Sequence, residues 1–204
     1  MTSDEIIKVI KPNIMQHQNE GVWLLDRVRE LNPKKILEIG CCGGGLTSAL
    51  ATTASIVTID ISKSGLYVWN MEKFLNICPN PKIDLVIGDS NLEETRDKVN
   101  DDYDVVVIDG GHDWKTGFKD WELYSSMSKV IAMHDIHEYD RKHGIADCGN
   151  AWNHFPTEFW WDIKNKDFLN EERMSNHKIK LDFEYRTEEF VDVISGGWGI
   201  VYKL

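Results

Sequence analysis

From residue 34 onward, short β-branched runs alternate with amphipathic stretches of about a dozen residues, and this alternation constrains the chain more than any other feature. It is the pattern of βαβ units stacked into a parallel sheet. KKILEIG (34–40), SIVTID (55–60), KIDLVIGDS (82–90), YDVVVIDGG (103–111) and KVIAMHD (129–135) read as five successive strands. Between them LTSALATT (46–53), YVWNMEKFLNI (67–77), LEETRDKV (92–99) and WKTGFKDWELYSSM (114–127) read as helices. Each strand runs into an acid or a glycine turn. In open α/β sheets ligands bind outside these carboxyl ends.

The flanks complete the expected fold. EGVWLLDRVRELNP (20–33) reads as an amphipathic helix stopped by Pro33, and FPTEFWWDIKNK (155–166) as a helix with Pro156 near its first turn. KIKLDFEYRT (178–187) and GGWGIVYKL (196–204) read as a terminal antiparallel pair. The fold class is therefore α/β: a Rossmann-like doubly wound sheet, mostly parallel with an antiparallel C-terminal strand, and helices on both faces. A single domain is expected over 1–204. It divides into an N-terminal helical segment (1–33), a core (34–137), a polar stretch suited to a lid (138–155) and a C-terminal helix with a strand pair (156–204).

Charge and composition narrow the function. The net charge is −11 and no block of Lys and Arg appears, which argues against nucleic acid as a partner. No apolar run approaches the roughly 20 residues that span a bilayer, and the N-terminus lacks the marks of a signal peptide. The four cysteines, Cys41, Cys42, Cys78 and Cys148, have neither CxxC spacing nor a disulfide framework. They read as reduced thiols, Cys41 and Cys42 as small packing residues, in a cytoplasmic protein. A homo-oligomer is compatible with all of this.

ILEIGCCGGG (36–45) has the outline of a nucleotide-binding loop with two departures. A dinucleotide fingerprint needs a second glycine so that the backbone can approach a pyrophosphate, and Cys42 stands there. Glu38 adds a negative charge close by. Both disfavour NAD or FAD, and the absence of Lys-Ser/Thr after the glycines disfavours ATP. A nucleoside cofactor with no phosphate and a cationic amino group suits the loop, and S-adenosylmethionine is such a molecule.

Residues 36–47 resemble motif I, E/D-x-G-x-G-x-G, of the class I S-adenosylmethionine-dependent methyltransferases, with Glu38, Gly40 and Gly44 in register and Cys42 in place of the middle glycine. The resemblance implies that Glu38, Gly40, Cys41 and Gly44 form the loop under the methionine part. It implies that Asp60, followed by Ile61, takes the ribose hydroxyls at the end of the second strand, and that Asp89-Ser90 forms the adenine-contacting step. GGWGIVYKL resembles the strand that completes the family's sheet.

A second cluster sits farther along. Asp109 ends the fourth strand and Asp135 the fifth, with His112 and His134 close by in sequence. Neighbouring parallel strands lie about 4.8 Å apart, so both carboxylates can surround one hard cation such as Mg²⁺. IDGGHDWKTGFKDWELY followed by IAMHDIH resembles the branch named for cephalosporin hydroxylase and the macrolide-sugar O-methyltransferases. That resemblance implies metal-dependent methylation of a hydroxyl on a sugar or other small molecule. It implies a metal site at Asp109 and Asp135, with His134 where the branch has an acid and Trp114 where it has Tyr. His112 is the first choice of base and His134 the second, with Asp109 at the reacting centre. Asp120 and Glu122 are expected on the surface, and His137 and His143 in solvent. Rival readings are a non-catalytic binder of S-adenosylmethionine or sugar, and a nicotinamide-dependent oxidoreductase.

Overall fold

The computed structural model describes residues 1–11, 16–61, 71–99, 102–111, 114–134, 185–190 and 197–204. Two helices open the chain. α1 (Ser3–Ile10) starts from a capping box in which the Thr2 hydroxyl accepts from the Glu5 N–H and the Glu5 carboxylate accepts from the Thr2 N–H. α2 (Gln18–Leu31) ends with Asn32 in the left-handed region, φ 48°, so the helix stops just ahead of Pro33 as expected. The T-x-x-E signature of α1, with isoleucines at 6, 7 and 10, was legible in the sequence but is not singled out by the strand-helix alternation.

The core then alternates as the sequence implies: β1 (Lys35–Ile39), α3 (Gly45–Ala51), β2 (Ser55–Asp60), α4 (Met71–Ile77), β3 (Ile83–Ile87), α5 (Glu93–Arg96), β4 (Val105–Ile108), α6 (Trp114–Tyr124), a 3-10 turn at Ser125–Met127, and β5 (Val130–His134). β6 (Tyr185–Phe190) and β7 (Trp198–Lys203) close it. The sheet order is β3-β2-β1-β4-β5-β7-β6, with β1 to β5 parallel and β7 antiparallel to both its neighbours. This is the doubly wound plan in which the order reverses between β1 and β4. It departs from the dinucleotide order 3-2-1-4-5-6 in the antiparallel β7 set between β5 and β6. The expected 138–155 lid, the 155–166 helix and most of the 178–187 strand lie outside the described residues.

Period-two alternation sends side chains to opposite faces of the sheet. Leu37, Ile39, Val106, Ile108, Ile131 and Met133 pack with Phe118, Trp121 and Tyr124 of α6. Ile36, Val105, Val107 and Ala132 pack with Ile7, Leu24, Leu25, Leu50 and Phe74, which come from α1 to α4. β4 is buried along its whole length, as expected of an inner parallel strand covered on both faces. The two layers leave the carboxyl ends of the central strands as the open edge of the sandwich.

Candidate functional site

At the reversal between β1 and β4 the backbone itself makes the opening. Gly40 has φ 86°, and a Cβ built on it would meet the Asp109 carbonyl oxygen at 2.2 Å and the Gly110 Cα at 2.7 Å. The turn continues with Cys42 at φ 42° and Gly44 at φ 73°. One oxygen of Asp60 holds this loop: its Oδ2 accepts from the Cys41 N–H at 3.1 Å and the Cys42 N–H at 3.0 Å, with the Cys41 thiol at 3.4 Å. The carboxylate does for the loop what a glycine backbone cannot do alone, because it ties a left-handed cysteine to the end of the neighbouring strand.

The cavity that results has a volume of about 600 Å³, within the range of small-molecule sites. Gly40, Cys42 and Gly43 form one wall, Asp60 and Ile61 a second, Gly88 to Asn91 a third, and Asp109 to Gly111 with Thr116 a fourth. Its charged lining residues are Asp60, Asp89 and Asp109; among the described residues that line it there is no Lys, Arg or His. Of the expected cofactor residues, Gly40, Asp60, Ile61, Asp89, Ser90 and Asp109 line it together with Cys42. Glu38, Cys41 and Gly44 lie beneath the wall and are not part of the lining.

Glu38 is fully buried and faces α3, where the Thr47 hydroxyl donates to its Oε2 at 2.6 Å. Burial pushes its carboxyl up to about 8; Thr47 and Thr58 oppose this, and the Asp109 and Asp60 charges add to it. Cys41 is buried, and burial followed by the Asp60 and Glu38 charges pushes its thiol well up, so it stays protonated and serves as packing. Asp120 is fully buried, contrary to the surface position expected for it, because it turns towards the loop after β3 where Asn91 meets it. Burial raises its carboxyl to about 7. Cys41, Cys42 and Cys78 are free thiols; Cys148 lies outside the described residues.

Behind Asp109 lies a chain of buried polar groups. The Gln16 side-chain amide donates to Asp109 Oδ2, and His134 Nδ1 is 3.1 Å from Asp109 Oδ1. His134 Nε2 is 3.7 Å from Oε1 of Glu20, a residue on α2 with no solvent exposure. The Glu20 carboxylate accepts the Gly197 N–H at 2.9 Å and the His17 N–H at 3.1 Å. The Trp198 ring lies 4.6 Å from the imidazole, centroid to centroid. Both ring nitrogens of His134 thus face carboxylates. No group of three or more His, Cys, Asp or Glu among the described residues is arranged to hold a metal ion. His112, Asp135, His137 and His143 lie outside the described residues. Glu20, Gln16, Asn91 and Thr116 escape sequence reading, since each acts through a partner 25 or more positions away, as in Asn91 with Thr116. The one signal available among them is that Glu20 is an acid on the same stripe of α2 as Leu24 and Val28.

No family model and no curated protein matches the chain by sequence. Solved structures match over nearly its whole length. An O-methyltransferase from Bacillus cereus, in complex with S-adenosylhomocysteine, is 16% identical with a TM-score of 0.63, covering 100% of this chain and 90% of that one. The O-methyltransferase TomG from Streptomyces achromogenes, involved in tomaymycin synthesis and in complex with S-adenosylmethionine, is 14% identical with a TM-score of 0.56, covering 99% and 89%. An rRNA methylase from Streptococcus thermophilus is 10% identical with a TM-score of 0.53, covering 94% and 99%. These likenesses establish the fold, a doubly wound α/β sheet that the solved methyltransferases share. They do not select an acceptor, because the activities of those proteins differ.

Two outcomes follow from this geometry. Gly40→Ala forces a Cβ into backbone at positive φ and lowers stability by about 3 kcal/mol or more, read as the shift of the urea midpoint at constant m. The carboxyls of Glu38 and Asp120 have raised values in the fold, so the stability they contribute is full below about pH 4 and is lost as pH rises through 7 to 8. Tm therefore falls by on the order of 5 °C between pH 5 and 8.5, and Glu38→Gln makes the decline shallower.

Proposed function

We propose that this protein binds S-adenosylmethionine in the cavity at the carboxyl ends of β1 to β4 and transfers its methyl group to a hydroxyl oxygen of a small molecule. The observation that carries this reading is the charge of the lining: three aspartates and no cation among its described residues. A pyrophosphate or triphosphate meets only repulsion there, whereas a sulfonium and an ammonium are attracted. The methyltransferase fold and the motif I loop over Asp60 point the same way.

In this reading the glycine loop carries the methionine part. Asp60 takes the vicinal ribose hydroxyls, Ile61 lies along the nucleoside, and Asp89 with Ser90 meets the adenine edge. The Asp60 and Asp109 carboxylates at the cavity wall favour the cationic ligand, while Glu38, pushed up to about 8 by burial, is largely protonated near pH 7 and supports the loop from beneath through Thr47. Asp109 stands where donor and acceptor meet, held from behind by Gln16 and His134. The acceptor oxygen attacks the methyl carbon in line with the C–S bond. The C–S electron pair returns to sulfur, leaving the neutral thioether S-adenosylhomocysteine, and the hydroxyl proton passes to a base. Alignment of the two reactants supplies most of the rate.

The test is transfer of labelled methyl from S-adenosylmethionine to pooled sugar and phenolic hydroxyl acceptors, with and without EDTA. Loss of transfer in EDTA would indicate a divalent cation in the reaction, whereas transfer that survives EDTA would remove the metal and leave the cofactor reading intact. Asp60→Asn keeps an acceptor for the loop but removes one carboxylate oxygen, and raises KM for S-adenosylmethionine about tenfold. Lack of transfer to every acceptor despite cofactor binding would favour a non-catalytic binder.

A further inference from the structure

Asp120 stands outside the cavity yet joins the two loops that wall its nucleoside end. Its Oδ1 accepts from Asn91 Nδ2 at 2.7 Å, and the same amide donates to the Thr116 carbonyl at 3.1 Å. The Ser90 hydroxyl and the Gly111 N–H lie against the carboxyl and favour its ionised form. Two turns from Thr116 on the same helix stripe, the Tyr124 hydroxyl donates to the Ser90 carbonyl at 2.9 Å. On the other loop, a Cβ at Gly110 would come to 3.0 Å from Asp120 Oδ2, and one at Gly111 would strike Thr116 Oγ1 at 2.1 Å. Ser90, Asn91, Gly110, Gly111 and Thr116 all line the cavity.

These loops leave strands that are not neighbours. β1 and β2 lie between β3 and β4, so the loop origins are separated by roughly 14 Å at the usual spacing between strands. Sheet hydrogen bonds therefore do not fix one loop against the other. A carboxylate in a fully buried position costs desolvation that an apolar side chain of similar size avoids. What the carboxylate adds here is direction, through the loop groups that meet it.

We propose that Asp120 is a positioning residue for the nucleoside slot, holding the Ser90–Asn91 turn against the Gly110–Gly111 turn so that an adenosine moiety enters a preformed gap. This rests on the S-adenosylmethionine reading and names the part of the chain that shapes that site without touching the ligand. Because its partners are loop groups and not the reacting atoms, its loss falls on cofactor affinity more than on the methyl-transfer step.

The test is calorimetric titration of S-adenosylhomocysteine and of adenosine into the wild type, Asp120→Ala, Asp120→Asn, Asn91→Ala and the Asp120→Ala/Asn91→Ala double variant. Phe118→Leu, which loosens the packing of the same helix within the hydrophobic core, serves as the control. Asp120→Ala and Asn91→Ala each weaken both ligands about tenfold, Asp120→Asn weakens them less, and the double variant is no weaker than the worse single one. In steady state the Asp120→Ala loss falls on KM for S-adenosylmethionine more than on kcat. Folded Asp120→Ala that binds within twofold of wild type overturns the proposal, as do additive losses or an equal loss in Phe118→Leu. Failure of the wild type itself to bind S-adenosylhomocysteine overturns the cofactor reading on which it rests, a result distinct from wild-type binding with unaffected variants.

Discussion

The close approach of Gly40 to the carbonyl of Asp109 is the constraint on which the site depends. No Cβ fits between β1 and β4 at that point, and Gly40 takes the chain off β1 at φ 86°, so glycine is required there on both counts. The chain turns over the end of β2, where the Asp60 carboxylate catches its amides. Everything that faces the cavity follows from that turn: the glycines exposed on one wall, the aspartates at the strand ends on the others, and the helix α3 that continues from Gly44.

Charge then decides among ligands that would all fit such a turn. Asp60, Asp89 and Asp109 face the cavity, and Glu38 and Asp120 lie buried behind its walls. Burial raises the carboxyls of Glu38 and Asp120, and the neighbouring acids add to the cost of holding negative charge there. A cationic ligand offsets that cost and a phosphate increases it. In the proposed reading the Cys42 side chain is tolerated, since S-adenosylmethionine carries no phosphate that would have to pass over it.

The fold was largely legible because its signal is local. The β-branched runs from Lys35 to His134 and the amphipathic stretches between them carry their own periodicity, and strand ends follow from where that periodicity stops. The cavity residues were legible for the same reason: Gly40, Asp60, Asp89 and Asp109 sit at those ends. What sequence did not reveal is how acids pair across the fold. Asp120 occupies a helix position that by spacing alone could face solvent, and only the approach of Asn91 shows that it is buried. Glu20 likewise belongs to an N-terminal helix whose pattern says nothing of β5, yet it stands 3.7 Å from His134. Likewise, Glu38 reads as a ligand contact in a linear motif, while the structure turns it away from the cavity towards Thr47.

The most direct measurement of the account is a paired calorimetric titration of the full chain with S-adenosylhomocysteine and with NAD at the same pH and salt. The acid-lined cavity predicts one-to-one binding of S-adenosylhomocysteine in the micromolar range, on the order of −8 kcal/mol, and no heat from NAD. Binding of NAD with none of S-adenosylhomocysteine would contradict it.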